Sequence, residues 1–156
     1  MAQKKQLSTF FVDRLFFGIE VEKVQEVIRY QEMTRVPLAP PVVQGLINLR
    51  GQIVTAVDLR RRLGLNERVT TDLPMNVVVR HDDGAVSLLV DEIGDVLEVD
   101  EETFEQPPDT LDDRARELIR GVYKLEGRLL HVLDAEKTLN LSVIGDQGET
   151  GISSGR

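Results

Sequence analysis

Cysteine and tryptophan are absent from these 156 residues, and the aromatics are five Phe and two Tyr. Without cysteine there is no disulfide framework, no thiol nucleophile and no cysteine zinc site. That usage is compatible with the cytoplasm without proving it. Positive charge is scarce as well: 19 Lys and Arg face 27 Asp and Glu, giving a net charge of −8 and a pI near 4.8. A nucleic-acid binder needs a basic face to neutralise phosphates, so this class is disfavoured. Apolar runs last only a few residues, far short of the ~20 that span a bilayer. Met-Ala-Gln-Lys-Lys-Gln at the start leads into polar and aromatic alternation, not an apolar signal core. The expectation is a soluble, intracellular chain with no direct membrane insertion.

Motifs for chemistry are missing too. There is no G-x-x-x-x-G-K-[ST], no G-x-G-x-x-G and no G-x-S-x-G. Of the two histidines, His81 sits beside Asp82 and Asp83 at an expected hairpin tip and reads as a solvated turn residue. His131 precedes Asp134 by three, and a His–Asp pair can orient a general base. Asp134 has a simpler use as a helix N-cap, so a small acid-base enzyme is only a distant alternative. The acidic run from Asp91 to Glu105 lacks calcium-loop spacing and reads as a solvated edge. No metal and no cofactor is expected.

What is present is a series of short runs rich in Val, Ile, Leu and Phe, divided by Gly, Asp and Pro. Most are too short for helices and many alternate, which predicts an all-β chain. Hairpins are expected for Leu7–Val12 with Leu15–Ile19, Gly45–Leu49 with Ile53–Val57, Met75–Arg80 with Ala85–Val90, and Val122–Leu125 with Leu129–Leu133. Gly51 and Gly127 sit where tight turns need positive φ. Asp58–Leu63 and Asp134–Leu139 read as short Asp-capped helices, and Arg114–Arg120 as a third. Pro37–Pro41 and Gln106–Asp109 read as extended surface connectors. The Gly-, Ser- and acid-rich residues 145–156 read as a disordered tail.

A weak internal duplication runs through the chain. At an offset of 76, Gly45, Leu49, Gly51, Val57, Asp58 and Leu63 meet Gly121, Leu125, Gly127, Leu133, Asp134 and Leu139. At an offset of 69, Val21, Val24, Glu26, Val27 and Ile28 meet Val90, Ile93, Asp95, Val96 and Leu97. Hairpins of Val, Leu and Gly also resemble one another by chance. A true duplication gives two units of about 70 residues and two pseudo-equivalent faces, which suits a protein with more than one partner.

Arg60-Arg61-Arg62, with Arg68 nearby, is explained by the dipole at a helix C-terminus. Arg50 differs. It sits between Leu49 and Gly51 on a hairpin turn, where a rigid base can present its planar donor fork. The second unit has Glu126 at that place, so the role of Arg50 belongs to the first unit alone.

The stretch from Phe17 to Val27, with Glu26 in it, closely resembles the CheW family. So does Gly45-Leu46-Ile47-Asn48-Leu49-Arg50-Gly51-Gln52-Ile53-Val54, followed by Val57-Asp58-Leu59-Arg60. Thr34-Arg35-Val36-Pro37 between the blocks, Val90-Asp91 with Asp95-Val96-Leu97, and Gly121 and Gly127 carry the resemblance to about residue 140. Thr103–Arg116 fits no part of the pattern.

The resemblance implies two SH3-like five-stranded β-barrel subdomains packed around a shared core, with a few short helices. The domain would span 1–144, its repeat units roughly 15–70 and 75–140. It implies a non-enzymatic chemotaxis adaptor that couples the cytoplasmic tips of methyl-accepting chemoreceptors to the regulatory domain of the histidine kinase CheA. Such an adaptor works in the cytoplasm, at the inner face of the membrane within receptor arrays, and is expected to be a monomer in isolation. A scaffold of a non-flagellar chemosensory pathway, for appendage motility or development, is the alternative. By motif match, Arg50 and Glu26 look like a functional pair, and Val24 and Gly45 match positions tied to partner binding. Asn48 and Leu49 belong to the same block, and Ile93, counterpart of Val24, is a candidate second kinase contact.

Overall fold

The computed structural model describes residues 3–66, 72–82 and 84–140. The expected tail 145–156 and Arg68 lie outside the described residues. The strands are β1 (Lys4–Val12), β2 (Leu15–Glu20), β3 (Val24–Ile28), β4 (Val43–Leu49), β5 (Gln52–Asp58), β6 (Met75–His81), β7 (Gly84–Val90), β8 (Glu92–Asp100), β9 (Ile119–Leu125) and β10 (Arg128–Leu133). The helices are α1 (Leu59–Arg62), α2 (Asp113–Leu118) and α3 (Ala135–Leu139).

All four expected hairpins form: β1–β2, β4–β5, β6–β7 and β9–β10. The β1–β2 turn is Asp13-Arg14 as expected, and the other three are tighter than the sequence suggests. Leu49 pairs with Gln52 and Leu125 with Arg128, so Gln52 and Arg128 are strand residues and each turn has two residues. Likewise His81 pairs with Gly84, which places this glycine in β7 and not in the turn. Arg50 and Gly51 have φ of 51° and 89°, the two left-handed residues of a primed hairpin turn. Asp58 and Asp134 cap α1 and α3 as expected, accepting from Arg60 and Lys137 backbone N–H groups at 3.0 Å each.

The third helix is displaced from its expected span. Asp112 caps α2 through the Arg114 N–H at 3.0 Å, and the helix stops at Leu118 because Ile119 pairs with Leu133 as the first residue of β9. Pro37–Pro41 is a surface connector but is not extended. The Ala39 N–H donates to the Val36 carbonyl at 3.3 Å and the Val43 N–H to the Pro40 carbonyl at 2.9 Å, which folds it into two successive turns.

Two sheets result, ordered β8-β1-β2-β10-β9 and β3-β6-β7-β5-β4. They repeat one plan pair by pair. Phe10 faces Phe17 and, 69 residues on, Val79 faces Val86. Phe17 lies beside His131 in a parallel pair, and its counterpart Val86 lies beside Thr55, which is 76 before His131. Even the bulges recur: Phe10–Ile93 matches Val79–Val24 across the same register slip. A strap after β3 makes one isolated bridge to β4 at Thr34–Leu46, and one after β8 to β9 at Glu105–Val122, so among the described residues the expected barrels are open five-stranded sheets whose edges meet through the backbone only at these bridges. The hairpins are exchanged: β1–β2 completes the sheet built from β8, β9 and β10, while β6–β7 completes that of β3, β4 and β5.

Three apolar clusters follow from this plan. The largest lies between the sheets and draws Phe10, Phe17 and Ile19 from one, Val57, Val79 and Leu88 from the other, and Leu59, Leu118 and Leu139 from the helices. Each sheet also has a private cluster, Leu7, Phe16, Tyr123 and Leu130 in one and Ile47, Leu49, Val54 and Val78 in the other.

The arginine run does more than answer a helix dipole. Arg60 is buried and pairs with Asp91 at 2.7 Å, so Asp91 leaves the expected solvated edge. Arg61 donates to the Pro41 carbonyl at 3.0 Å, and Arg62 to those of Thr138 and Lys137 at 3.0 and 2.7 Å.

Candidate protein-binding site

Arg50 occupies the β4–β5 turn, and Glu26 the edge strand β3. The Arg50 guanidinium donates to Glu26 Oε2 in a short ion pair. The turn is held from below: Asn48 Oδ1 accepts the Gly51 N–H at 2.9 Å, an Asx-type brace that fixes where the arginine leaves the backbone. Gln25 Nε2 reaches the same Glu26 oxygen at 3.3 Å. The hydrogen bond from Arg50, seconded by that from Gln25, holds the Glu26 carboxyl below the ordinary carboxylate range. The Arg50 side chain stays 70% exposed despite the pair. Donors of its fork therefore remain for a partner.

The other candidates separate into two groups. Val24 begins β3, half-buried against the central cluster, and its carbonyl accepts from Arg80 Nη1 at 2.9 Å. Arg80 also takes the Glu22 carbonyl at 3.0 Å and so anchors the entry to β3, a role with no local signal in the sequence. Ile93, the second residue of β8, is the counterpart of Val24 and belongs to the other sheet. Gly45 and Leu49 are buried. A Cβ at Gly45 would stand 2.8 Å from the Thr34 carbonyl and 2.9 Å from the Met33 Cβ, because the strap crosses over it. Gly121 underlies Phe104 and Glu105 in the same way. Leu49 packs with Ile47, Val54 and Leu89, so it offers no contact surface of its own. Exposed apolar side chains near the pair are Val27, which follows Glu26, and Ile53, which faces Asn48. Sequence alternation alone did not single them out.

The second half has Glu126 at the position of Arg50 and Asp95 at that of Glu26. Glu126 is also not among the residues of positive φ. Hence neither the ion pair nor the strained arginine is repeated. His131 and Asp134 are engaged separately. His131 Nδ1 donates to the Phe16 carbonyl at 2.9 Å with its ring against Phe17, and Asp134 caps α3. Among the described residues, no cluster of His, Cys, Asp and Glu could hold a metal ion, and no helix is long and apolar enough to cross a membrane.

The CheW-like domain family matches residues 6–143. The chain is 34% identical over 136 residues to chemotaxis protein CheW of Bacillus subtilis, covering 87% of each. It is 32% identical to chemotaxis protein CheW of Rhizobium meliloti, covering 85% of each. Among solved structures it is similar to the scaffolding protein TtCheW of Thermoanaerobacter tengcongensis, with a TM-score of 0.75 at 26% identity over 85% of this chain and 90% of that one. The chain belongs to the CheW-like domain family and is a chemotaxis adaptor, not an enzyme.

Proposed function

We propose that this adaptor couples the cytoplasmic tips of methyl-accepting chemoreceptors to the regulatory domain of the histidine kinase CheA, and that the Arg50–Glu26 pair lies at the centre of the surface it uses. The observation that carries this reading is the pair itself: an arginine on a braced turn, mostly exposed, with no counterpart in the other half. Glu26 orients the guanidinium while leaving donors for a partner carboxylate or carbonyl. Val24 and Ile93 stand beside the matching bulges of the two edge strands, so Ile93 is the natural place for a second kinase contact. Gly45 and Leu49 act through the fold, Gly45 by admitting the strap and Leu49 by packing beneath the turn. Work in the cytoplasm against the inner face of the membrane, a monomeric free state, and a domain of residues 1–144 with repeat units 15–70 and 75–140 belong to the same reading.

The test is a three-way assembly of this protein, CheA and a receptor fragment from one organism, read as kinase activity. Arg50→Glu should weaken activation while the circular dichroism and melting temperature stay near those of the parent. Normal coupling by Arg50→Glu would remove Arg50 from the site.

A further inference from the structure

Arg80 lies near the end of β6 and is exposed, yet one nitrogen of its guanidinium serves two backbone groups. Nη1 donates to the Glu22 carbonyl at 3.0 Å and to the Val24 carbonyl at 2.9 Å. Those carbonyls flank Lys23, where the short helical turn Val21–Lys23 passes into β3.

The entry to β3 has need of such a clamp, because its ladder stops early. In the other sheet β8 keeps pairing beyond its bulge, with Ile93 opposite Phe10 and then Glu92 opposite Phe11. In this sheet pairing ends at Val24 opposite Val79, and Lys23, the counterpart of Glu92, belongs to the helical turn instead. The counterpart of Phe11 is Arg80. A side chain thus ties down a place that the other half ties down by backbone pairing.

The two bulges are also held differently. Across the bulge of β8, Thr9 Oγ1 donates to the Asp95 carbonyl. The counterpart of Thr9 is Val78, which has no hydroxyl, and the counterpart of Asp95 is Glu26. The bulge between Val24 and Glu26 therefore lacks the hydroxyl tie, and Arg80 fixes its outer end. A bulge re-aims the side chains beside it. The side chain beside this one is Glu26, which leaves one edge strand to meet Arg50 on the turn after the other.

We propose that Arg80 is a positioning residue of the coupling site: its clamp on the Glu22 and Val24 carbonyls sets the bulge that aims Glu26 at Arg50. The proposal rests on the reading of that pair as the coupling surface. Arg80 acts through the backbone of β3, since its bonds go to carbonyls and not to either side chain of the pair.

The test compares full-length Arg80→Met, Arg80→Lys and Arg50→Glu with the parent. Kinase activation is read in the assembly with CheA and a receptor fragment, and the Glu26 carboxyl is titrated by carbon-13 resonance in each protein alone. Arg80→Met is expected to raise the Glu26 midpoint towards 4.5. It should lower activation about threefold to tenfold, the usual worth of one or two hydrogen bonds, with little change in melting temperature because the clamp is exposed. Arg80→Lys should restore the midpoint and most of the activation, since one ammonium standing for Nη1 can donate to both carbonyls. An unmoved midpoint with lower activation would make Arg80 a direct partner contact, and an unmoved midpoint with normal activation would leave it no part in the site; either overturns the proposal. So would equal losses in Arg80→Met and Arg80→Lys with a lower melting temperature, which would make Arg80 a residue of the fold alone. Normal coupling by Arg50→Glu overturns the coupling reading itself, and the proposal with it, even where Arg80→Met moves the Glu26 midpoint.

Discussion

Arg62 donates from Nε to the backbone carbonyl of Thr138 at 3.0 Å, and Thr138 is the residue 76 positions after it. At the seam between the halves, one residue of α1 thus caps α3 at its own counterpart. Its second bond, to Lys137 at 2.7 Å, takes another of the carbonyls that a helix end leaves unpaired.

Arg62→Met should therefore lower stability by about 2–3 kcal/mol, the usual range for losing charge-assisted hydrogen bonds in a partly buried place. Arg62→Lys should recover only part, because an ammonium cannot reproduce the planar fork. Urea denaturation measures both; equal stability of Arg62→Met and the parent would mean that water replaces the cap.

The Arg60–Asp91 pair should behave differently from the exposed one at Arg50. Arg60 is buried, so Arg60→Met or Asp91→Asn breaks the closest contact of a buried pair and should cost about 3 kcal/mol, with Asp13 at 3.8 Å from Arg60 retaining part of the attraction. Arg50→Glu, in a pair whose arginine is mostly exposed, should change stability by under about 1 kcal/mol. Calorimetric melting of the variants side by side separates the two cases.

Glu26 supplies a pH signature. Its folded pKa lies below the ordinary value of 4.5, chiefly through the Arg50 hydrogen bond. A depressed carboxylate pKa stabilises the folded state fully above the unfolded value, and that contribution fades as the pH falls through the folded value. The pair should thus be intact around neutrality and open only in acid below 4.5. Carbon-13 titration of the Glu26 carboxyl should show this, and Arg50→Gln should move the midpoint upward. A midpoint unchanged by Arg50→Gln would mean that the pair does not form in solution.

Two glycines of the first half should fail for different reasons. Gly45→Ala drives a Cβ against the strap backbone, which cannot rotate away, and should cost about 1–3 kcal/mol. Gly51→Ala meets nothing within 4 Å, but its φ of +89° is poor for alanine, and about 1–2 kcal/mol is expected. Gly45→Ala should also loosen hydrogen-exchange protection at Thr34 and Leu46, whose bridge lies over it, whereas Gly51→Ala should not.

Local chemistry made the hairpins legible. Gly51, Gly127, Asp58 and Asp134 act within a few residues of themselves, so turns and caps could be read from the chain. The resemblance of the two halves was legible at two offsets because the counterparts are apolar or glycine positions with one structural task. Partner choice between strands was not. Nothing near Phe17 says that it lies beside His131 and not in the sheet of Thr55. The helix dipole accounts for Arg60 locally, and its pairing is hidden because Asp91 is 31 residues away in sequence. The Arg50–Glu26 pair was anticipated through the family motif, while the burial of Leu49 and the strap over Gly45 needed the three-dimensional path of residues 33 and 34.

The hairpin exchange also sets a schedule for synthesis. As the chain leaves the ribosome, β1 and β2 emerge first, yet the strands beside them in the finished sheet, β8 and β10, are made about a hundred residues later. The sheet of β3, β4 and β5 likewise waits for β6 and β7. Neither half can close while the other is missing, so the nascent chain carries unpaired strand edges until nearly all of it has been translated. Cutting the gene between the repeats would give two fragments, each lacking the hairpin that the other holds, which become one protein only by finding each other.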